Sequence, residues 1–377
     1  MVSRRFLTLV AAAALTAALG GCARKTQTTA APGPAQPFKI GIMTGTASQA
    51  EADFRAGEQV ERRYPGRVIH VTYPDNFTSE LETVIAQLAG LAADPKVRVI
   101  VVGQAIPGSA TAARRIRETR PDVLIGFVDP HEDADTVDAA CDIAIRPDEA
   151  GRAADVVAMA QEMGARNLVH YSFPRHMSQE PVAEWRDIMV RECEKRGMSF
   201  HFATAPDPAG EGGLASARQF VLEDVPRQIE KLGPATAFLG TSDTLEEAVI
   251  GAILEARAGY FVAQDVTAPA RGLSEALGIR IPPNEADDAA RTGAECRRLI
   301  AERGMSGHFG AWTHSADMVA IRACAGLLAD AADKKADPRD SATVIKYLEA
   351  EAGGPVRLRR YGLQDNQWLV LTDHVTY

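Results

Sequence analysis

The segment from Lys96 to Gly103, KVRVIVVG, constrains the fold more than any other part of the chain. A nearly continuous Val/Ile run leaves no polar face for solvent, so it reads as a strand of a parallel sheet covered by helices on both sides. PFKIGIMTG (37–45) ahead of it and DVLIGFVD (122–129) behind it are apolar runs of the same kind, and RVIHVTYP (67–74) is alternating and β-branched. SQAEADFRAGEQVERRY (48–64), SELETVIAQLAGLAAD (79–94) and SATAARRIRETRP (109–121) carry helical spacing between them. Strands and helices in strict alternation imply parallel sheets with right-handed crossovers, an α/β architecture.

CDIAIRPD (141–148) closes one such unit, and the pattern restarts with a helix at 148–164 and a strand at 165–174. Further strands are expected at 198–208, 236–243 and 260–265, with helices between them; Gly197 is placed to stop the helix that begins at Glu180. Roughly 340 residues follow the N-terminal region, more than a single core usually supports. The expectation is two Rossmann-like lobes, 38–146 and 147–306. Residues 307–345, a strand and then a long apolar helix, are expected to return to the first lobe, and 346–377 to supply strands near the crossing, two of them flanking Gly362–Gln367.

The first residues read as an export signal. Arg4 and Arg5 precede an uncharged apolar run, Phe6 to Leu19, and Leu19-Gly20-Gly21-Cys22 then places a cysteine directly after small residues. That arrangement matches a bacterial lipobox, in which the thiol is acylated and the peptide is cut before it. The apolar run is shorter than the ~20 residues needed to span a bilayer. Residues 1–21 are therefore expected to be a signal peptide, Cys22 the lipidated residue, and 22–37, rich in Thr, Ala, Pro and Gly, a flexible tether. The body would then sit in the cell envelope, facing the periplasm or the outside. Ser3-Arg4-Arg5-Phe6-Leu7 also partly matches a twin-arginine signal, with Thr8 where a large apolar residue is expected.

Removing residues 1–21 takes away Arg4 and Arg5 and moves the formal charge from −9 to −11. So acidic a chain is a poor electrostatic partner for nucleic acid, and it carries no long basic cluster. Cys141, Cys193, Cys296 and Cys324 are widely spaced with no C-x-x-C pair, which reads as buried thiols, leaves one disulfide open, and argues against zinc. The turns G-I-M-T-G-T (41–46) and G-Q-A-I-P-G (103–108) do not fit the dinucleotide-binding fingerprint, and there is no Walker A sequence, so no cofactor and no metal is expected.

In open α/β sheets, ligands bind beyond the carboxyl ends of the strands. The loops at those ends are rich in donors and acceptors: Thr44 and Thr46 after the first strand, Asn76 after the second, Gln104 after the third, Asp129 and His131 after the fourth. The second unit offers Arg175 and His176, then Asp243, then Gln264. Arg175 has the geometry to hold a carboxylate or phosphate in two parallel hydrogen bonds, or simply an ion pair at the surface. Several loop hydroxyls, Thr46 and Ser48 among them, would equally serve as helix caps. His131-Glu132 and Arg175-His176 are the groups an enzyme would use, but no H-E-x-x-H or G-x-S-x-G is present, and His170, inside the strand LVHY, reads as a buried histidine. No catalytic residue is assigned.

IGIMTGTASQ (40–49), HVTYPDNF (70–77), RRIRETRPD (114–122), DPHED (129–133), FPRHMS (173–178) and TAPDP (204–208) together resemble an uncharacterised family of bacterial lipoproteins, a domain of unknown function. The resemblance covers Lys39 to about Leu328. It implies the fold of type I periplasmic binding proteins, two Rossmann-like lobes joined by three hinge crossovers, and it brings no ligand. In sugar-binding relatives a strand ends in an Asn-Asp or similar pair before a helix; Thr241-Ser242-Asp243 stands there in this chain, without the Asn. The function expected is a membrane-anchored solute-binding lipoprotein that captures a small polar molecule between its lobes, with an ABC-type permease as the partner that the resemblance implies. The alternatives are a ligand sensor signalling to a membrane partner, and an enzyme on the same fold.

Overall fold

In a computed structural model of the chain, residues 37–264, 271–280 and 289–377 are described. The stretch expected to be a signal peptide, Cys22 and the expected tether up to residue 36 lie outside the described residues. Phe38–Tyr377 forms one compact unit.

The first series of elements is β1 (Lys39–Thr44), α1 (Glu51–Arg63), β2 (Val68–Thr72), α2 (Leu81–Ala93), β3 (Val97–Val102), α3 (Ser109–Thr119), β4 (Leu124–Val128), α4 (Ala134–Asp138) and β5 (Ile143–Pro147). The second is α5 (Glu149–Glu162), β6 (Asn167–Ser172), α6 (Pro174–Met177), α7 (Glu180–Arg196), β7 (Ser199–Thr204), α8 (Gly213–Leu232) and β8 (Thr236–Gly240). It continues through α9 (Glu246–Ala256), β9 (Tyr260–Val262), α10 (Arg271–Ala276), α11 (Ala289–Glu302) and β10 (Phe309–Trp312). The chain closes with α12 (Ala316–Ala332), α13 (Ser341–Ala352), β11 (Val356–Arg360), β12 (Gln367–Thr372) and β13 (His374–Thr376).

These strands make a seven-stranded sheet, β11-β12-β5-β4-β3-β1-β2, and a six-stranded sheet, β13-β10-β9-β8-β6-β7. Every neighbouring pair is parallel except β11 with β12 and β10 with β13. The Val/Ile run of β3 lies at the middle of the first sheet, shielded on both faces as its composition requires. Val99 and Val101 join the layer of α1, α12 and α13, while Ile100 and Val102 join that of α2 and α3. Each such side chain contributes roughly 1.5–3 kcal/mol by leaving water. Gly126 in β4 lets α12 lie close, since a Cβ there would come within 2.2 Å of the Cys324 sulfur. The second sheet has a core of its own, with Trp185, Phe238, Phe261, Phe309 and Trp312 among its large members.

The chain crosses between lobes three times: from β5 to α5 at Asp148, from β10 to α12 at Thr313–Ser315, and from β12 to β13 at Asp373. The crossing segments are hydrogen-bonded to one another. The amide of Asp148 donates to Val370 O (2.8 Å), the amide of Thr313 to Asp373 O (2.9 Å), and the Thr372 hydroxyl to His314 O (2.8 Å). The second lobe thus extends beyond residue 306. β10 completes its parallel series, with Gly310 lying against Met159, and β13 then pairs with β10, so the last residues belong to this lobe as well. α13 also runs to Ala352, past the point at which strands were expected to begin.

Asp148 holds the first crossing together. Its carboxylate accepts from Gly151 N (2.9 Å), capping α5, and takes the Nε (2.6 Å) and Nη2 of Arg359 on β11. Asp148→Ala removes both the cap and the fork, and is expected to cost about 1–2 kcal/mol in a urea unfolding midpoint. Arg359→Ala alone should cost less, because the cap survives. Cys141, Cys193, Cys296 and Cys324 are buried free thiols; burial pushes Cys193 up to about 12 and Cys296 up to about 11, which keeps both inert. Among the described residues no helix is long and apolar enough to cross a membrane.

Candidate functional site

Strand order reverses between β1 and β3 in the first sheet and between β6 and β8 in the second. At such switch points the loops leave in opposite directions and open a crevice at the carboxyl edge. The crossings at Asp148 and Thr313–Ser315 follow the carboxyl ends of β5 and β10, so the two edges meet beside them.

On the first lobe, the loops after β1 and β2 are tied together. The Thr46 hydroxyl donates to Asp75 Oδ1, and the Ser48 hydroxyl to Asp75 Oδ2 at 3.3 Å. Neither hydroxyl caps α1, whose N-terminus has no side-chain cap. Thr44 sits behind this wall, fully buried, with its hydroxyl on Gly45 O and His70 Nε2 (both 2.9 Å). Asn76 is exposed on the β2 loop, where its carbonyl accepts from the Ser79 hydroxyl. Gln104 accepts from the Tyr73 hydroxyl at 2.7 Å. Gln104 and Asp129 have φ of +46° and +43°, a left-handed conformation that costs a non-glycine residue roughly 1 kcal/mol. Both stand at the carboxyl ends of strands, where strain of this kind commonly accompanies function.

Behind the loops lies a group of carboxyls. Asp53, in the first turn of α1, is only 6% exposed, and its carboxyl is pushed up to about 7 by burial, then by the charge of Asp129, with His131 pulling the other way. Asp317, in the first turn of α12, is raised well above the ordinary range by burial and by Asp53, Asp129 and Glu149, against Arg152. One oxygen of Asp317 is closed off from solvent with no hydrogen bond. His131 Nε2 lies 3.5 Å from Asp129 Oδ2. The Tyr73 hydroxyl is pushed above its ordinary value by burial and then by Asp53 and Asp129.

The second lobe contributes a more basic wall. Arg152, from the first turns of α5, donates to Gln264 O (2.8 Å), pairs with Glu149, and lies over the Trp185 ring at 5.4 Å. Gln264 enters through its backbone, since its amide also donates to Glu246 Oε1 (2.9 Å). Arg175 is held by both Asp207 oxygens, at 2.8 and 3.0 Å, in a solvated fork. His176 packs on Phe173 with ring centres 4.1 Å apart, and burial followed by the Arg175 charge lowers its pKa. Asp243 begins a 3-10 turn after β8, and its side chain lies outside the described part. Since the Arg175–Asp207 pair is exposed, Arg175→Ala is expected to cost no more than about 1 kcal/mol of stability in thermal melts.

Glu132 and His170 are engaged in the fold itself. The Glu132 carboxylate accepts from Gly108 N (3.3 Å) and Ala110 N (2.8 Å) at the start of α3. His170 is fully buried beside Thr241, and burial drives it down to about 3. Asp53, Asp317, Glu149 and Arg152 were not among the site residues expected from the sequence. The available signal was positional: each stands in the first turns of a helix that follows a cleft-side strand end or a crossing.

Residues 38–310 match the family described as Protein of unknown function (DUF3798). An uncharacterized protein of Treponema pallidum (strain Nichols) is 35% identical over 209 residues, covering 54% of this chain and 94% of its own length. Among solved structures, that of a candidate transcriptional regulator from Clostridium difficile 630 matches with a TM-score of 0.84 at 20% identity, covering 90% of this chain and 99% of that one. A sugar ABC transporter from Actinomyces odontolyticus ATCC 17982 matches with a TM-score of 0.53 at 9% identity, covering 80% and 85%. At these identities the likeness to solved structures shows the fold alone.

Proposed function

The chain belongs to the DUF3798 family and has the type I periplasmic-binding-protein fold, and on that premise we propose that it is a solute-binding protein whose lobes close on a small polar molecule. The observation that carries this reading is the convergence of the two carboxyl edges on polar groups, several of them buried and without hydrogen-bond partners. Closure about the three crossing segments would let a ligand touch both walls, and its greater affinity for the closed form would drive the change. The engagement of Glu132 and His170 elsewhere supports binding rather than turnover.

Native mass spectrometry of residues 22–377 with Cys22→Ser tests this. A bound small molecule, released on denaturation, is the expected result. An empty protein with no thermal shift across a broad metabolite panel would count against it. In the cell, the lipobox supports attachment to an envelope membrane through Cys22, with an ABC-type permease receiving the closed form. Cys22→Ala should then lose palmitate labelling and leave the membrane fraction. The likeness to a candidate regulator favours a second reading, a ligand sensor on the same cleft. Crosslinking of the liganded protein to a permease, or to a signalling partner instead, separates the two.

A further inference from the structure

We propose that the molecule taken by this cleft is a cation, an amine whose ammonium group sits between Asp53 and Asp317; this rests on the solute-binding reading above and adds the ligand's charge.

Asp53 is only 6% exposed, and among the described residues its carboxylate makes no hydrogen bond. Its Oδ2 lies over the end of β3: a Cβ on Gly103 would come within 2.8 Å of Ile321 Cδ1, one turn along α12 from Asp317, within 3.3 Å of Asp53 Oδ2 and within 3.4 Å of Thr44 Cγ2. Asp317 reaches the same region from the second crossing, with Oδ1 shut off from solvent and unbonded. Asp129 and Glu149 add negative charge within electrostatic reach. Arg152 is the guanidinium in reach of Asp317; its two terminal nitrogens are committed to Gln264 O and Glu149, and its Nε is buried without a hydrogen bond.

A carboxylate taken out of water without a partner costs several kcal/mol, and a second one beside it adds repulsion. The N-termini of α1 and α12 favour negative charge by much less than that. The balance is met either by a proton, as the raised proton affinity of both groups reflects, or by a bound cation. Among the described residues no three His, Cys, Asp or Glu side chains converge as metal ligands. An ammonium group, with three donors and a full charge, fits acceptors that reach it from separate helices. A neutral sugar fits less well, because the aromatic rings at the loops are engaged: Tyr73 with Gln104, Phe173 under His176 and Arg175.

The test is a thermal-shift and calorimetric comparison on residues 22–377 with Cys22→Ser. The cationic probes are methylammonium, putrescine, agmatine and spermidine at constant ionic strength, and ribose and galactose are the neutral controls. At least one cation should raise the melting temperature and bind measurably. Asp53→Asn and Asp317→Asn should each weaken that binding by about tenfold to a hundredfold, the effect of losing a hydrogen bond between charged groups. Glu118→Gln, on the exposed face of α3, should not. The empty Asp53→Asn protein should melt no lower than its parent at pH 8, which shows that lost binding is not lost folding. If no cation shifts the parent, or the variants bind it unchanged, the charge assignment is overturned. If ribose or galactose binds while the cations do not, the cleft remains a solute site and the assignment alone falls.

Discussion

Trp312→Ala is expected to lower the free energy of unfolding by about 3–5 kcal/mol, among the largest effects available to a single substitution in this chain. Trp312 is the last residue of β10, 1% exposed, at the point where the chain leaves the second lobe. Its ring lies in the core of the second lobe, and its indole N–H donates to Ala263 O at 3.2 Å. Alanine removes the contacts, leaves a cavity, and strips a buried carbonyl of its donor. Trp312→Phe keeps most of the volume and loses the donor, so about 1–2 kcal/mol is expected of it. Urea unfolding followed by the fluorescence of the remaining Trp185 and Trp368 reads both variants. A cost below about 1 kcal/mol for the alanine variant would mean that the ring is not part of the core that joins strand to crossing.

Why the fold was legible and the charged centre was not follows from what each depends on. KVRVIVVG reads as a strand covered on both faces from its own composition and length, while its register with β1 and β4 appears only in the folded sheet. The hairpin of β11 and β12 was readable from PVRLRRYGLQDNQWLVLT for the same reason. β10 falls in the stretch expected to return to the first lobe; its place in the second sheet depends on pairing with β9 and on β13 arriving from the far end of the chain. Asp53 and Asp317 look in sequence like ordinary acids in the first turn of a helix, a position where solvated carboxylates are common. The packing of α1 on α12 buries Asp53 and leaves Asp317 half-buried with one oxygen closed off. Arg175 illustrates the converse. Its capacity for a bidentate bond was legible, but the partner, Asp207, lies 32 residues away on another loop.

The second large effect concerns pH. Asp53 sits at about 7 in the folded chain against an ordinary 3.8, so between those values the folded form binds the proton that the unfolded form has lost. Stability therefore falls as pH rises from about 4 to about 7, and the loss is complete above the folded value. The shift sets a ceiling of about 4 kcal/mol at 1.36 kcal/mol per unit, shared with Asp317, whose proton affinity is raised by the same neighbours. The groups that face Asp53 are Asp129 and His131 from the loop after β4, Asp317 from α12, and Tyr73 from the end of β2; Glu149 and Arg152 from α5 act on Asp317. Carboxylates elsewhere run the opposite way. Asp148, Asp207 and Asp340 are held below the ordinary range and lose their contribution as pH falls below that range. The two trends overlap in the raw stability of the chain, so the Asp53 component must be isolated by difference. Asp53→Asn, compared with the parent by urea titration of the unliganded protein from pH 4 to pH 8, should gain on it steadily up to about pH 7 and by a constant amount beyond. A difference that does not change across that range would mean that Asp53 stays ionised in the folded state.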